Sequence, residues 1–315
     1  MFDAERFVEE QVQKARDTIK DNAIIACSGG VDSTVAAVIV NEAIGGRLLA
    51  VFVDTGLMRK GEKEEVQAML ERLGLNYKIV DASDEFFDAL KGIVDPEMKR
   101  KVIGERFIRV FEREAREFGA RFLVQGTIAP DWIESGDELR DTIKSHHNVG
   151  GIPKDMELEL FEPLRDLYKD EVRVIARYLG VEVSERQPFP GPALAIRVLG
   201  EVSRENIEIV RNACFIVEDE IETAAKKGIM ELPWQYFAVL LPVQSVGVHG
   251  DARVYGKTVA VRSVRSIDGM SASYSRIPHE ILERISLRIT NEMKEQVNRV
   301  VYDITNKPPA TIEWE

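Results

Sequence analysis

Apolar and polar positions along this chain alternate between two periods. Residues 3–19 put Val8, Val12, Ala15 and Ile19 on one side of a helix, because positions three and four apart share a face. Short continuous apolar runs at 23–26 and 48–53 suit strands covered on both sides, as in a parallel sheet. The helical period returns over 61–73, and strand-like runs follow at 77–80 and 121–125. Between those two strands lies a long helix, with Asp95 as its cap and Pro96 at its first position. Its apolar stripe is Ile103, Phe107, Val110, Phe111 and Phe118, and a further helix covers 167–179 with Lys169, Asp170 and Glu171 in its first turn. Regular strand–helix alternation predicts an α/β fold, a doubly wound and mainly parallel sheet.

The pattern then changes. Arg186-Gln187-Pro188-Phe189-Pro190-Gly191-Pro192 is too rich in proline for a helix or a central strand, and it reads as a hinge. The expected domains are 1–190 and 191–315. The second is smaller and α+β: strands at 194–199, 236–241, 245–249 and 258–264, helices at 203–226 and 278–294, and extended chain at 300–304 and 311–314. Residues 128–155 show no sustained period. A stretch that long inside a domain is usually functional or disordered. Its mixture of carboxylates, Lys144, His146 and His147 with Gly150-Gly151 suggests an active-site lid; the plainer reading of the two histidines is a solvated loop pair.

Charge and cysteine content narrow the function. A net charge of −12 on 315 residues argues against binding to a nucleic-acid backbone, which needs basic surface. The two cysteines, Cys27 and Cys214, are far apart and make neither a disulfide framework nor a zinc site. No apolar run has the length of a membrane span, and the acidic, periodic start is unlike a signal or transit peptide, so no membrane association and a cytoplasmic location are expected.

The chemistry concentrates at the end of the first strand. Cys27-Ser28-Gly29-Gly30-Val31-Asp32-Ser33-Thr34 turns from a buried strand into a helix. Such a turn aims unpaired N–H groups at one point, where glycines let a ligand approach closely, and it binds phosphate. Asp32 at its rim can hold a Mg²⁺ ion that the phosphates share. Two other polar strand ends, Asp54-Thr55-Gly56 and Gly126-Thr127, should converge there, since doubly wound sheets bind ligands beyond their carboxyl strand ends. Asp54 either bonds the nucleotide or caps a loop. The run from Gly250 to Thr258 imitates a Walker A loop, but has five residues between its glycines and leads into a strand; it reads as a hairpin turn.

The string Ser28-Gly29-Gly30-Val31-Asp32-Ser33 resembles the pyrophosphate loop of the N-type ATP pyrophosphatases, which cleave ATP to AMP and pyrophosphate and adenylate a carbonyl oxygen. Longer strings resemble the GMP synthetase family within that group: Gln125 to Ser135, Ile143 to Gly151, Pro188 to Pro192, and Lys307-Pro308-Pro309-Ala310-Thr311-Ile312-Glu313-Trp314-Glu315. The resemblance runs from about residue 20 to the last residue. It implies an adenine-nucleotide alpha-hydrolase-like sheet followed by a dimerisation domain. It also implies a cytoplasmic, homodimeric ligase of purine biosynthesis that aminates XMP to GMP through an adenylyl-XMP intermediate. Family members with both functions carry an N-terminal amidotransferase domain with a nucleophilic Cys and a His. Neither cysteine here has that setting, so the expected ammonia source is free ammonia or a separate glutamine amidotransferase subunit.

The resemblance assigns ATP to Ser28, Gly29, Gly30, Val31, Asp32, Ser33 and Thr34, with Asp54 and Gly126, and Mg²⁺ to Asp32 and Asp131. It gives catalytic roles to Asp32 and to lid residues Asp131, Glu134, Lys144, His146 and His147. Asp170 and Glu171 are weaker candidates. It assigns XMP to Arg186, Pro190, Gly191 and Pro192, and to Lys307, Thr311, Ile312 and Glu313 of the terminal segment. On the residues alone, that segment reads equally as a tied-down terminal strand. Rival functions are another adenylating amidase such as NAD synthetase, against which the terminal string argues, and an inactive ATP-binding subunit.

Overall fold

The computed structural model describes residues 2–130, 158–181, 187–267 and 269–315. They form two compact units, one of Met1–Asp54, Lys63–Asp81 and Phe107–Glu185, the other of Thr55–Glu62, Ala82–Arg106 and Arg186–Glu315. The second unit thus gathers two segments from the first half of the chain.

The first unit holds a five-stranded sheet in the order β3-β2-β1-β4-β5, with β1 Asn22–Ala26, β2 Leu48–Asp54, β3 Tyr77–Asp81, β4 Ala120–Val124 and β5 Glu159–Phe161. All neighbours are parallel. The apolar runs supply the core: Ile24, Ile25, Ala50 and Phe52 are buried, and a phenylalanine such as Phe52 contributes about 1.5–3 kcal/mol by leaving water. Helix α1 (Ala4–Thr18) is capped by Asp3, whose side chain accepts from the Arg6 N–H, and buries Val8, Val12 and Ala15. It packs on α2 (Val31–Ile44). Val35, Ala36, Ala37, Ile39 and Val40 of α2 are all buried, so α2 is a core helix with no single apolar stripe. Helix α3 is Glu62–Arg72. The strand order reverses beside β1: the chain runs outward through β2 and β3, then returns to place β4 on the other side. The crevice of a doubly wound sheet opens there, at the carboxyl ends of β1 and β4.

Three short elements escape the sequence pattern. Helix α4 (Ser83–Leu90) buries only Phe86 and Leu90, β5 has three residues, and β8 (Ser273–Tyr274) has two. Helix α5, Pro96–Phe118, begins as expected, with Asp95 Oδ1 accepting from Met98 N–H at 2.8 Å. Helix α6 is Lys169–Tyr178 and packs on α1 and α2.

In the second unit, α7 (Arg204–Lys226) is capped by Ser203 and packs on β6 (Gln235–His249). Strand β6 pairs antiparallel with β7 (Ala252–Arg265) through a turn at Gly250-Asp251, so the Walker-like run is a hairpin. Strand β9 (Val297–Asp303) lies parallel to β7, and α8 (His279–Glu292) packs on β9 and α7.

Three expectations are corrected. Residues 194–199 are not a strand: Ala193–Arg197 is a buried 3-10 turn, and only Val198 bridges to Leu240. Burial alone explains the apolar run, which looks the same in a turn as in a strand. The runs at 236–241 and 245–249 are one strand, with a register shift between Leu241 and Gln244 where Pro242 has no N–H to donate. Residues 311–314 join no strand; they are anchored by side chains, as described below. Among the described residues no helix is long and apolar enough to cross a membrane.

Candidate active site

The turn between β1 and α2 lies at the reversal of strand order. Gly29 has φ +81°, in the left-handed region, and a Cβ there would sit 2.7 Å from Val66 Cγ2 of α3. Both facts exclude a larger residue. Gly30 precedes α2 without a capping side chain. The Thr34 N–H and hydroxyl both bond the Gly30 carbonyl, at 3.1 and 2.8 Å, and the Ser33 hydroxyl bonds it at 3.1 Å. These bonds close the first turn. Helix geometry leaves the N–H groups of Val31, Asp32 and Ser33 without intrahelical acceptors, at the positive end of the helix dipole. Thr34 is buried, whereas Ser28 and Gly30 are exposed.

Gly126, just past β4, packs against this turn. A Cβ on it would lie 2.8 Å from Asp32 C and Ser33 N and 2.9 Å from Asp32 O, all backbone atoms. The ends of β1 and β4 therefore meet as the strand-end argument requires. The third end differs in its visible partner: Asp54 Oδ2 lies 3.3 Å from Lys63 Nζ.

Asp32 has an asymmetric carboxylate. Its Oδ2 accepts from Lys169 Nζ at 2.5 Å. Its Oδ1 is buried and has no hydrogen-bond partner among the described residues. An orphaned carboxylate oxygen costs free energy unless something meets it. Placed beside open N–H groups, it suits a hard divalent cation. Among the described residues no group of three His, Cys, Asp or Glu side chains forms a metal cage. Mg²⁺ held chiefly by phosphates needs only one or two carboxylates, so Asp32 fits that mode.

Cys27, next to the loop, is buried, and burial pushes its thiol up to about 12. It is a protonated core residue.

In the second unit, Pro190-Gly191-Pro192 leads into the 193–197 turn, whose first N–H bonds the Pro190 carbonyl at 2.9 Å. The preceding Phe189 ring lies under the Arg59 guanidinium at 4.0 Å and faces Arg197 at 5.1 Å. Glu313 Oε1 and Oε2 accept from Arg197 at 2.8 and 3.1 Å, and Oε1 also accepts from Gln235 at 2.8 Å. Lys307 Nζ donates to the Gly269 carbonyl at 2.7 Å, Ile312 is buried, and the Thr311 hydroxyl donates to the Glu313 carbonyl. Asp131, Glu134, Lys144, His146, His147 and Arg186 lie outside the described residues.

Comparison with known proteins decides between the related chemistries. Residues 222–314 match the GMP synthase C terminal domain family, and residues 1–107 match NAD synthase. A subunit of the glutamine-hydrolyzing GMP synthase of Thermoplasma acidophilum is 56% identical over 309 residues, 98% of each chain. The same subunit from Methanopyrus kandleri is 59% identical over 319 residues, 100% of each chain. The chain belongs to this GMP synthase subunit family. The glutamine-hydrolyzing GMP synthase of Thermotoga petrophila is 56% identical over 98% of this chain, a match that spans 62% of that longer protein.

For a GMP synthase subunit, two kinds of residue stand out that pattern reading missed. Lys169 is one. The sequence pointed to Asp170 and Glu171 beside it, yet Asp170 points to solvent with Arg173 as partner, and Glu171 bonds the Tyr168 N–H at 2.9 Å. Only the three-dimensional meeting of α6 with α2 reveals the lysine. Gln235, Arg197 and Arg59 are the others. They come from three distant parts of the chain, and only the buried arginine inside an apolar run, at 197, was a local signal.

Proposed function

We propose that this GMP synthase subunit acts as a ligase that forms a C–N bond, aminating XMP to GMP at the expense of ATP. The O2 oxygen of XMP attacks the α-phosphorus and pyrophosphate departs. Ammonia then displaces AMP at C2 of the adenylyl-XMP intermediate. The observation that carries this reading is the β1–α2 loop, Ser28 to Ser33, intact at the strand reversal in a chain that matches its GMP synthase relatives from end to end.

The loop's work follows from its geometry. The first half-reaction gathers negative charge on the leaving pyrophosphate, and fixed N–H donors stabilise such charge without reorganising. The N–H groups of Val31, Asp32 and Ser33 supply them, with the exposed Ser28 hydroxyl at the rim. Lys169 adds a positive charge beside the same turn. Asp32 Oδ1, buried and without a partner among the described residues, would hold the Mg²⁺ that accompanies ATP, and that ion would offset phosphate charge. In the second unit, Lys307, Thr311, Ile312 and Glu313 form the XMP-binding segment. Arg197 and Gln235 both donate to Glu313 Oε1 and Arg197 also donates to Oε2, so Oε2 keeps one lone pair for a purine N–H group.

Ammonia comes from solution or from a separate glutamine amidotransferase subunit, since the relatives are themselves named as one subunit of a glutamine-hydrolyzing enzyme. The protein works in the cytoplasm as a homodimer. The test supplies ATP, Mg²⁺, ammonium and XMP, and follows GMP and pyrophosphate. XMP-dependent release of one pyrophosphate per GMP is expected. Pyrophosphate release with deamido-NAD and none with XMP would replace this reading by the NAD synthetase one.

A further inference from the structure

The terminal segment of the second unit is held by three cations that are themselves wholly buried: Lys99, Arg197 and Arg262. Arg262 donates to the carbonyls of Thr305, Thr311 and Ile312 and pairs with Asp303 at 3.2 Å. Arg197 grips the Glu313 carboxylate as a fork. Lys99, on α5, bonds Ala195, Val198 and Glu315, none of them assigned to XMP, and its arrangement is the most telling.

Its ammonium donates to the Val198 carbonyl at 2.7 Å, to the Ala195 carbonyl at 3.4 Å, and to Glu315 Oε2. A lysine has three N–H donors, so all are used. A buried ammonium is costly unless paired and fully bonded, so this site is built around its charge. The two carbonyls belong to the turn that carries Arg197, and Glu315 lies two residues past Glu313. A closed ring results: Lys99 to the 195–198 turn, Arg197 to Glu313, and Glu315 back to Lys99. Two buried cations, Arg197 directly and Lys99 through Glu315 and the carbonyls beside Arg197, fix where Glu313 sits.

We propose that Lys99 is a positioning residue for XMP, acting through Glu315 and the 195–198 turn to hold Glu313 and Ile312 in their binding positions. The proposal rests on the terminal segment being the XMP-binding one. Removing the ammonium leaves a carboxylate at 10% exposure and two carbonyls without their donor. The terminal residues and the Arg197 turn can then move apart, while the ATP loop of the first unit keeps its own contacts.

The experiment measures XMP-dependent pyrophosphate release by the full chain, its Lys99→Met and Glu315→Gln variants, and the double variant. The KM for XMP is expected to rise about tenfold or more in each single variant, as for loss of a charge-assisted hydrogen bond. The KM for ATP should move less than twofold. Because both variants remove the same buried ion pair, the double variant should be far less impaired than the product of the two. A folded Lys99→Met protein with an unchanged KM for XMP would overturn the proposal, as would fully multiplicative effects. If Lys99→Met does not fold, by circular dichroism, Glu315→Gln decides alone: it keeps the side chain's shape, and an unmoved KM for XMP overturns the proposal. Wild-type protein that shows no XMP turnover sinks the functional reading and this proposal with it, whereas normal wild-type turnover with unmoved variants sinks the proposal alone.

Discussion

Replacing Gly126 by alanine tests the β1–β4 crevice more sharply than removing any charge would. The added methyl would stand 2.8 Å from Asp32 C and Ser33 N and 2.9 Å from Asp32 O. Ordinary contact begins near 3.4 Å, so the first turn of α2 or the β4 end must retreat by about 0.6 Å. The atoms met are backbone, so no flexible side chain can yield instead. Overpacking of this kind costs about 1–3 kcal/mol of stability. The larger effect should be on catalysis, because the retreating atoms carry the N–H groups proposed to hold the leaving pyrophosphate. A displacement near 1 Å of catalytic groups can cost about a hundredfold in rate; at 0.6 Å a loss of about tenfold or more in kcat/KM for ATP is expected. The assay is pyrophosphate release with saturating XMP and ammonium, with thermal unfolding measured in parallel. A Gly126→Ala enzyme that melts a few degrees lower but keeps kcat/KM for ATP within twofold would refute the close-approach reasoning.

Three further expectations are simpler. Gly104 lies exposed inside α5, and a Cβ added there would meet no atom within 4 Å, so Gly104→Ala should raise stability by about 0.5–1 kcal/mol in thermal or urea unfolding. The Cys27 thiol, held up to about 12 by burial, should resist alkylation by iodoacetamide at pH 8 in the native enzyme and react only after unfolding; rapid native labelling would contradict its packing. Glu218 is raised above the usual carboxylate value, first by burial, against the lowering effect of Arg59 and Arg197 and of the Gln187 amide, with Glu222 adding to the rise. The folded state then binds its proton more tightly than the unfolded state. This group's contribution to stability therefore falls as pH rises from the usual carboxylate value through the raised one, and Glu218→Gln should flatten the stability–pH profile in that window.

How far the chain could be read from its sequence depended on what each residue touches. The parallel sheet was legible because β1 after Asn22 and β2 before Asp54 are continuously apolar, as a strand covered on both faces must be. The turn from β1 into α2 was legible because its glycines answer local demands: Gly29 has its positive φ and sits close to a neighbouring side chain. The 193–197 turn was misread because Ala193 to Ile196 are apolar for burial alone, and prolines on either side of Gly191 set the backbone. Pro242 hid the continuity of β6 by breaking the period that pairing elsewhere preserves. The terminal segment's attachment was invisible for a different reason. Arg197 and Arg262 interrupt apolar runs, which hints at burial but not at a partner, Lys99 sits among charged residues with no such hint, and the groups they hold lie about 50 to more than 200 residues away.

An acidic chain of net charge −12 that uses ATP must still attract a polyanion, and the proposed site at the β1–α2 turn offers a local means. At physiological salt, charges more than about 8 Å apart are largely screened, so the field at the phosphates is set by what surrounds them. There the open N–H groups of α2 and the ammonium of Lys169 contribute positive charge, and Asp32 offsets part of it. Half-exposed, with 43% of its side-chain surface open, Lys169 can turn from Asp32 towards a phosphate without a large desolvation cost. Lys169→Met should therefore raise the KM for ATP about fivefold to tenfold, a charge-assisted contact discounted for exposure. It should also weaken the rise of that KM with added salt, since one screened attraction is gone. The KM for XMP should hardly move. Titrating ATP at low and high salt in both proteins separates the cases: an unchanged KM for ATP with an unchanged salt response would mean that Lys169 serves only to hold Asp32.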